Sequence, residues 1–227
     1  MESTLTVTKK HFDSLQALRA FACLAVVVWH VKKLPLNVPI GGWAVSVFFV
    51  LSGFLMAYHY CDRELEYGIK PQLKFSWSKI RKLYPLHIIT LVYIAITVII
   101  SDWGNFGLKH IALNLFSFLN NITLTQSWLP SKRVYFSYNG VAWYLSVCVF
   151  LYFVFPYINK KLKTLSKKSL IILAASIYLI MLALSVCVCM IPVNISFLDV
   201  SESFCDWITY TLPLFRTGDF TIGCILG

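Results

Sequence analysis

Charge is what this sequence has least of. Only 13 % of its 227 residues are Asp, Glu, Lys or Arg, and the acidic ones number just 10. A water-soluble domain carries about 25 % charged and ~45–50 % apolar residues. Here 58 % are hydrophobic and 16 % aromatic, which excludes an ordinary soluble globule and leaves a polytopic membrane protein. Metal-binding spacings are also missing. The seven cysteines form no CxxC or Cys/His pattern, most lie within apolar runs, and they read as small packing residues; no metal is expected. No small-residue A-x-A site follows the first apolar run, so that run reads as a retained span and not a cleaved signal. There is no internal repeat, low-complexity tract or Pro/Gly-rich divider, so residues 1–227 read as a single integral-membrane domain.

What is present is a series of long apolar runs. Spans are expected from about Ser14 to Val31, Trp43 to Tyr60, Leu83 to Ser101, Val141 to Ile158 and Ser169 to Ile191, with a last segment from Trp207 to Gly227. The Ser52-Gly53 pair marks a close-packing notch or a bend. The run from His110 to Leu124 is interrupted by Asn114, Asn120 and Asn121 and reads as a re-entrant or interfacial helix buried against protein. The fold class is an all-α multispan helical bundle.

The formal charge is +10, from 20 Lys and Arg. In a chain this apolar, such an excess labels cytoplasmic loops and anionic lipid, and nucleic acid is not expected as a partner. With the N-terminus cytoplasmic, fourteen of the 20 fall inside, including the Arg63–Lys82 segment and the Lys160–Lys168 run. Five fall outside and Arg216 is intramembrane. That count holds only if the His110–Leu124 run does not cross.

Two polar residues interrupt the first span, Arg19 and His30. Eleven residues of α-helix advance about 16 Å and turn a net of about 20°, so both sit on one face at different depths. That face looks into protein or a wet cavity, or else Arg19 snorkels and His30 caps the helix; the stretch alone leaves both readings open. A histidine at depth is a candidate general base. Lys79, Arg81 and Lys82 precede the third span beside the headgroups, where cations suit a phosphorylated ligand as well as plain topology.

The segments LRAFACLAVVVWH, GGWAVSVFFVLSGFL, SKIRKLYPLH, VAWYLSVCVFLYFVFP and PLFRTGDFTIGCILG follow one another along the chain. Together they resemble the membrane acyltransferase 3 family over nearly its whole length. The Arg-x10-His pair and FFVLSGFL are the most specific parts. The resemblance implies O-acyl transfer, usually O-acetylation, from cytoplasmic acetyl-CoA or another acyl-CoA. The acceptor would be a hydroxyl of a cell-surface polysaccharide, other glycan or lipid-linked saccharide. It implies an enzyme of the plasma or inner membrane. By the same resemblance His30 is the catalytic base and Arg19 its partner. Arg81 meets the CoA phosphates, with Lys79 and Lys82 beside it. Arg216 and Asp219 match a late R-x-x-[DE]-F pair, whose i, i+3 spacing equally describes a structural ion pair.

Three features depart from the family pattern. Cys148 stands where an acidic residue is common. Lysines replace some arginines ahead of the third span. The chain stops within a membrane segment, so it is expected to be incomplete at the C-terminus. A transporter or carrier using Arg19, His30, Arg216 and Asp219 is the alternative, and an inactive truncated family member is another.

Overall fold

The computed structural model describes residues 13–31, 40–101, 107–190 and 204–227. Residues 1–12, the short connection that carries Pro35, residues 102–106 and the stretch that carries Asp199 and Glu202 lie outside the described residues. Among the described residues every regular element is helical, as the long apolar runs require.

Helix α1 spans Asp13–His30 and α2 spans Ile40–Tyr60. Helix α3, Ile69–Ile80, leads into α4, Tyr84–Ser101. Helix α5 is Leu108–Ile122, and a short α6, Lys132–Tyr135, follows. Helix α7 is Trp143–Lys163 and α8 is Lys167–Met190. A one-turn α9, Phe204–Asp206, precedes the last helix, α10, Pro213–Leu226. Among the described residues, four helical stretches are long and apolar enough to cross a membrane: Ile40–Tyr60, Tyr84–Ser101, Gly140–Lys163 and Lys167–Met190.

The interior lies between α2, α7 and α10. Phe49 of α2, Val147, Leu151 and Phe155 of α7, and Phe220 of α10 are all fully buried there. Helices α2 and α10 pack most closely of all. Small residues make that possible, because a Cβ at Gly53 would run into the Phe220 carbonyl and one at Gly223 into the Val50 carbonyl. The Ser52-Gly53 notch is therefore a packing notch. On the outside of the bundle, α8 buries no residue and α4 buries only His87 and Leu91. Rows of exposed apolar side chains such as Ile171, Tyr178 and Leu182 make a surface suited to hydrocarbon and not to water.

The structure adds detail to four of these segments. The charged segment ahead of α4 is not all surface. Gln72, Ser76 and Ile80 recur every four residues, and this face of α3 is buried along α7. Ser76 Oγ donates to the Val149 carbonyl at 2.7 Å. The α5 run lies back along α4, with the Tyr84 hydroxyl donating to the Ile122 carbonyl and His87 Nε2–H to the Asn121 carbonyl, each at 2.9 Å. Its 15 residues reach about 22 Å, short of the ~30 Å hydrocarbon core. One of the asparagines that weakened the apolar run is used inside: Asn121 Nδ2 donates to the Ser117 carbonyl and to Ser137 Oγ.

The last segment is not one helix. A π-turn at Trp207–Thr211 ends at Leu212, which is extended (φ −66°, ψ 122°), and α10 restarts with Pro213 in its first turn. Proline disfavours helical geometry in the residue before it, and it lacks the N–H that would continue the ladder. Finally, Cys189 of α8 is disulfide-bonded to Cys205 of α9, so these two cysteines tie segments together and are not simple packing residues. Cys148 and Cys224 are buried free thiols, as the packing reading expects.

Candidate functional site

Helix α1 runs antiparallel to α2, and their register is fixed by Trp29, whose ring lies where a Cβ on Gly41 would be. His30 is therefore beside the first turn of α2. Its Nδ1–H donates to the Val26 carbonyl at 2.7 Å, since a carbonyl can only accept. The bond fixes the ring and leaves Nε2 as the free base nitrogen. His30 is exposed, so a reactant can reach it.

Ten residues back along α1 and eleven on along α2, each about 15 Å, bring Arg19 level with Ser52. Arg19 faces α7 as well, where its charge acts on the hydroxyls of Tyr144 and Tyr152. Ser52 Oγ and the Tyr152 hydroxyl are 2.9 Å apart. Tyr144 stacks on Phe49 with ring centres 4.7 Å apart. Arg19 and His30 thus occupy two stations along the same stretch of α2, and both are exposed.

A third station lies at the far end of α2. A pocket of about 330 Å³ opens between Leu55, Met56, His59, Tyr60, Arg63 and Lys79. Three of its six lining residues carry nitrogen donors. Lys79 Nζ donates to the Tyr60 hydroxyl, and both Lys79 and Arg63 lie over the Tyr60 ring, at 4.5 and 5.2 Å from its centre. His59 donates Nδ1–H to the Leu55 carbonyl at 2.7 Å, leaving Nε2 free. Arg81 and Lys82 are exposed on the turn after α3 and do not line this pocket. Of the three cations in SKIRKLYP, the fold brings Lys79 to a concavity. His59 and Arg63 were not singled out from the sequence. The signal was a histidine in the last turn of a span, four residues before the first arginine of a basic segment.

Arg216 and Asp219 form the ion pair that their spacing predicts, Nη1 to Oδ2 at 2.7 Å. Both are buried. The same guanidinium donates to Ser46 Oγ at 2.9 Å and, through Nε, to the Tyr210 carbonyl at 2.8 Å. Tyr210 sits in the broken turn before Pro213, so Arg216 satisfies a carbonyl that the break releases. The pair ties α10, α2 and the π-turn together.

These stations can be set against known proteins. A family model described as an acyltransferase domain, that of the acyltransferase 3 family, matches residues 12–216. The chain belongs to the acyltransferase 3 family. Among curated proteins it is 26 % identical over 229 residues to acyltransferase MdmB of Streptomyces mycarofaciens. That alignment covers 94 % of this chain and 56 % of the relative, so the chain spans little more than half of the relative's length. No solved structure gives a significant match. The acyltransferase 3 match takes in α1 to α9 and the first turn of α10, and so includes His30, Arg19, the whole pocket and Arg216.

Proposed function

We propose that this acyltransferase 3 protein is a membrane-bound O-acyltransferase. It takes an acyl group, in the simplest case acetyl, from cytoplasmic acyl-CoA. It delivers that group to a hydroxyl of a cell-surface polysaccharide, another glycan or a lipid-linked saccharide. The observation that carries the reading is the distance between two unlike stations on α2. Cations converge in a pocket at its Tyr60 end, and a histidine with one free nitrogen stands at its Ile40 end. Eighteen residues, or about 27 Å of helix, separate Gly41 from His59. A ligand with phosphates at one end and a thioester at the other suits that separation.

In this reading Arg63 and Lys79 receive the phosphates by charge-assisted hydrogen bonds, and His59 joins them when a proton on Nε2 makes it a donor there too. Exposed Arg81 and Lys82 add to the same positive field. His30 Nε2 takes the proton of the acceptor hydroxyl as its oxygen attacks the thioester carbonyl. The carbon–sulfur bond breaks, and CoA leaves as the thiol with the proton that His30 returns to its sulfur. Arg19 lies between the two ends and holds the donor. Thioester exchange needs no metal or redox partner.

The same reading puts the N-terminus in the cytoplasm of a plasma or inner membrane. Two observations support that orientation. The Lys163 ammonium reaches the Arg63 carbonyl at 3.5 Å, so the two basic segments share one side. The Cys189–Cys205 disulfide lies at the opposite end of α8 from Lys167 and Lys168, which suits an oxidising outer face. The carrier alternative loses much of its basis, because Arg216 and Asp219 are bonded to each other and to fixed neighbours.

The test is acetyl transfer in membranes, normalised to folded protein. Arg63→Ala and Lys79→Ala should raise KM for acetyl-CoA by about ten- to a hundredfold while leaving kcat nearly unchanged, because they contact a non-reacting part of the donor. His30→Gln keeps a donor and an acceptor but cannot take up a proton, and should lose about 10²–10⁴ in turnover. Near wild-type turnover in His30→Gln would return His30 to a helix-end role.

A further inference from the structure

Between the pocket and His30, the level of Ser52 carries a set of groups that nothing above yet uses. Tyr144, Cys148 and Tyr152 recur every four residues on one face of α7, so the two hydroxyls and the thiol form a single stripe. Cys148 is buried between the two tyrosines on this stripe, close enough for the thiol and the two hydroxyls to influence one another. Ser52 of α2 closes one end of the stripe through its 2.9 Å bond to Tyr152. The Arg19 guanidinium, exposed on α1, lies near enough for its charge to be felt at both tyrosine hydroxyls. Among the described residues Arg19 has no ion-pair or hydrogen-bond partner. A bare cation in an apolar helix costs several kcal/mol unless a partner or water reaches it.

The chemistry of this level is one-sided. Arg19 offers only N–H donors. When Ser52 donates to Tyr152, the phenol proton of Tyr152 is free to donate in turn. The groups gathered here can supply several protons, and among the described residues no carboxylate is bonded to them. What is missing is an acceptor oxygen that belongs to something else. The acceptor does not need to be a phosphate, because phosphate suits the pocket about 10 Å further along α2, three cationic or imidazole side chains strong. A carbonyl oxygen on an extended arm fits the donors and the depth.

We propose that Tyr152, held by Ser52 and facing Arg19, is a donor-binding residue that hydrogen-bonds an amide carbonyl of the pantetheine arm of acyl-CoA. The proposal rests on the acyl-CoA reading given above. Tyr152 and Arg19 fix how far the arm reaches, and hence where the thioester stops relative to His30. Tyr144, stacked on Phe49, makes the rigid wall on the other side of Cys148. No covalent step is assigned to Cys148.

The experiment compares three acetyl donors with the full-length protein in membranes. Acetyl-CoA has phosphates and amides, acetyl-pantetheine has the amides alone, and the acetyl thioester of a plain alkanethiol has neither. Tyr152→Phe should raise KM about 3- to 10-fold for the first two donors by the same factor, with kcat within twofold, and leave the third unchanged. Arg63→Ala should raise KM for acetyl-CoA only. Ser52→Ala, which retains the phenol and only loosens it, should give a smaller rise in the same pattern, and it serves if Tyr152→Phe does not fold. Unchanged KM for both amide-bearing donors in Tyr152→Phe and in Ser52→Ala would overturn the proposal. So would an equal loss with all three donors, since that marks a structural role. If the wild-type protein uses none of the three while remaining folded, the acyl-CoA reading itself falls, and the proposal with it.

Discussion

The buried pair of Arg216 and Asp219 allows a prediction in which the single and double substitutions should disagree. At 2.7 Å and an effective dielectric of about 20, two unit charges attract by about 6 kcal/mol. Desolvation of each ion costs several kcal/mol, so the attraction and the two penalties roughly cancel. The intact pair therefore adds little net stability. Removing one partner is another matter, because the survivor keeps its penalty and loses its compensation. Asp219→Leu leaves the guanidinium with Ser46 and Tyr210 only. Arg216→Met leaves a bare carboxylate and also frees the Tyr210 carbonyl at the helix break. Each single change should cost about 3–5 kcal/mol. At 2–4 °C per kcal/mol for a chain of this size, that is a fall in melting temperature of roughly 6–20 °C. The double variant Arg216→Met/Asp219→Leu should lie above either single, because no charge is left buried. Thermal unfolding in detergent, followed by tryptophan fluorescence, measures all four proteins under one condition. If the double cost equals the sum of the singles, the two residues are not coupled, and the argument fails.

Two other outcomes follow from packing and charge. Gly53→Ala should destabilise the protein by about 1–3 kcal/mol or more, because its Cβ meets the Phe220 backbone and backbone cannot step aside cheaply; Gly140→Ala, with nothing within 4 Å, should melt like the wild type. Equal melting temperatures for the two would show that α2 and α10 do not touch there. In a cysteine-free background, a cysteine placed at Lys163 should react with a membrane-impermeant maleimide only after the cytoplasmic face is opened, while one at Lys132 should react from outside in intact cells. Labelling of position 163 from outside would reverse the assigned sides of α7.

The sequence by itself settled the class of the molecule. Runs of apolar residues too long for a soluble core can only be satisfied as helices in lipid, because a helix pairs its own backbone groups. The same local logic placed Arg19 and His30 on one face of α1 and paired Arg216 with Asp219, since both follow from the pitch of a single helix. Family membership was legible too, in short motifs spread over nearly the whole chain. Tertiary structure alone decided which cation met a cavity. Lys79, Arg81 and Lys82 are equivalent as charges, and nothing local says which way α3 turns. Its phase is set by Gln72, Ser76 and Ile80 docking on α7, which turns Lys79 toward Tyr60 and leaves Arg81 outside. The same holds for Tyr152, whose partner Ser52 lies a hundred residues away, and for Cys189 with Cys205. Helix pitch is a property of the chain and can be counted along it. The rotation of one helix against another depends on every side chain between them, and it exists only once they are packed.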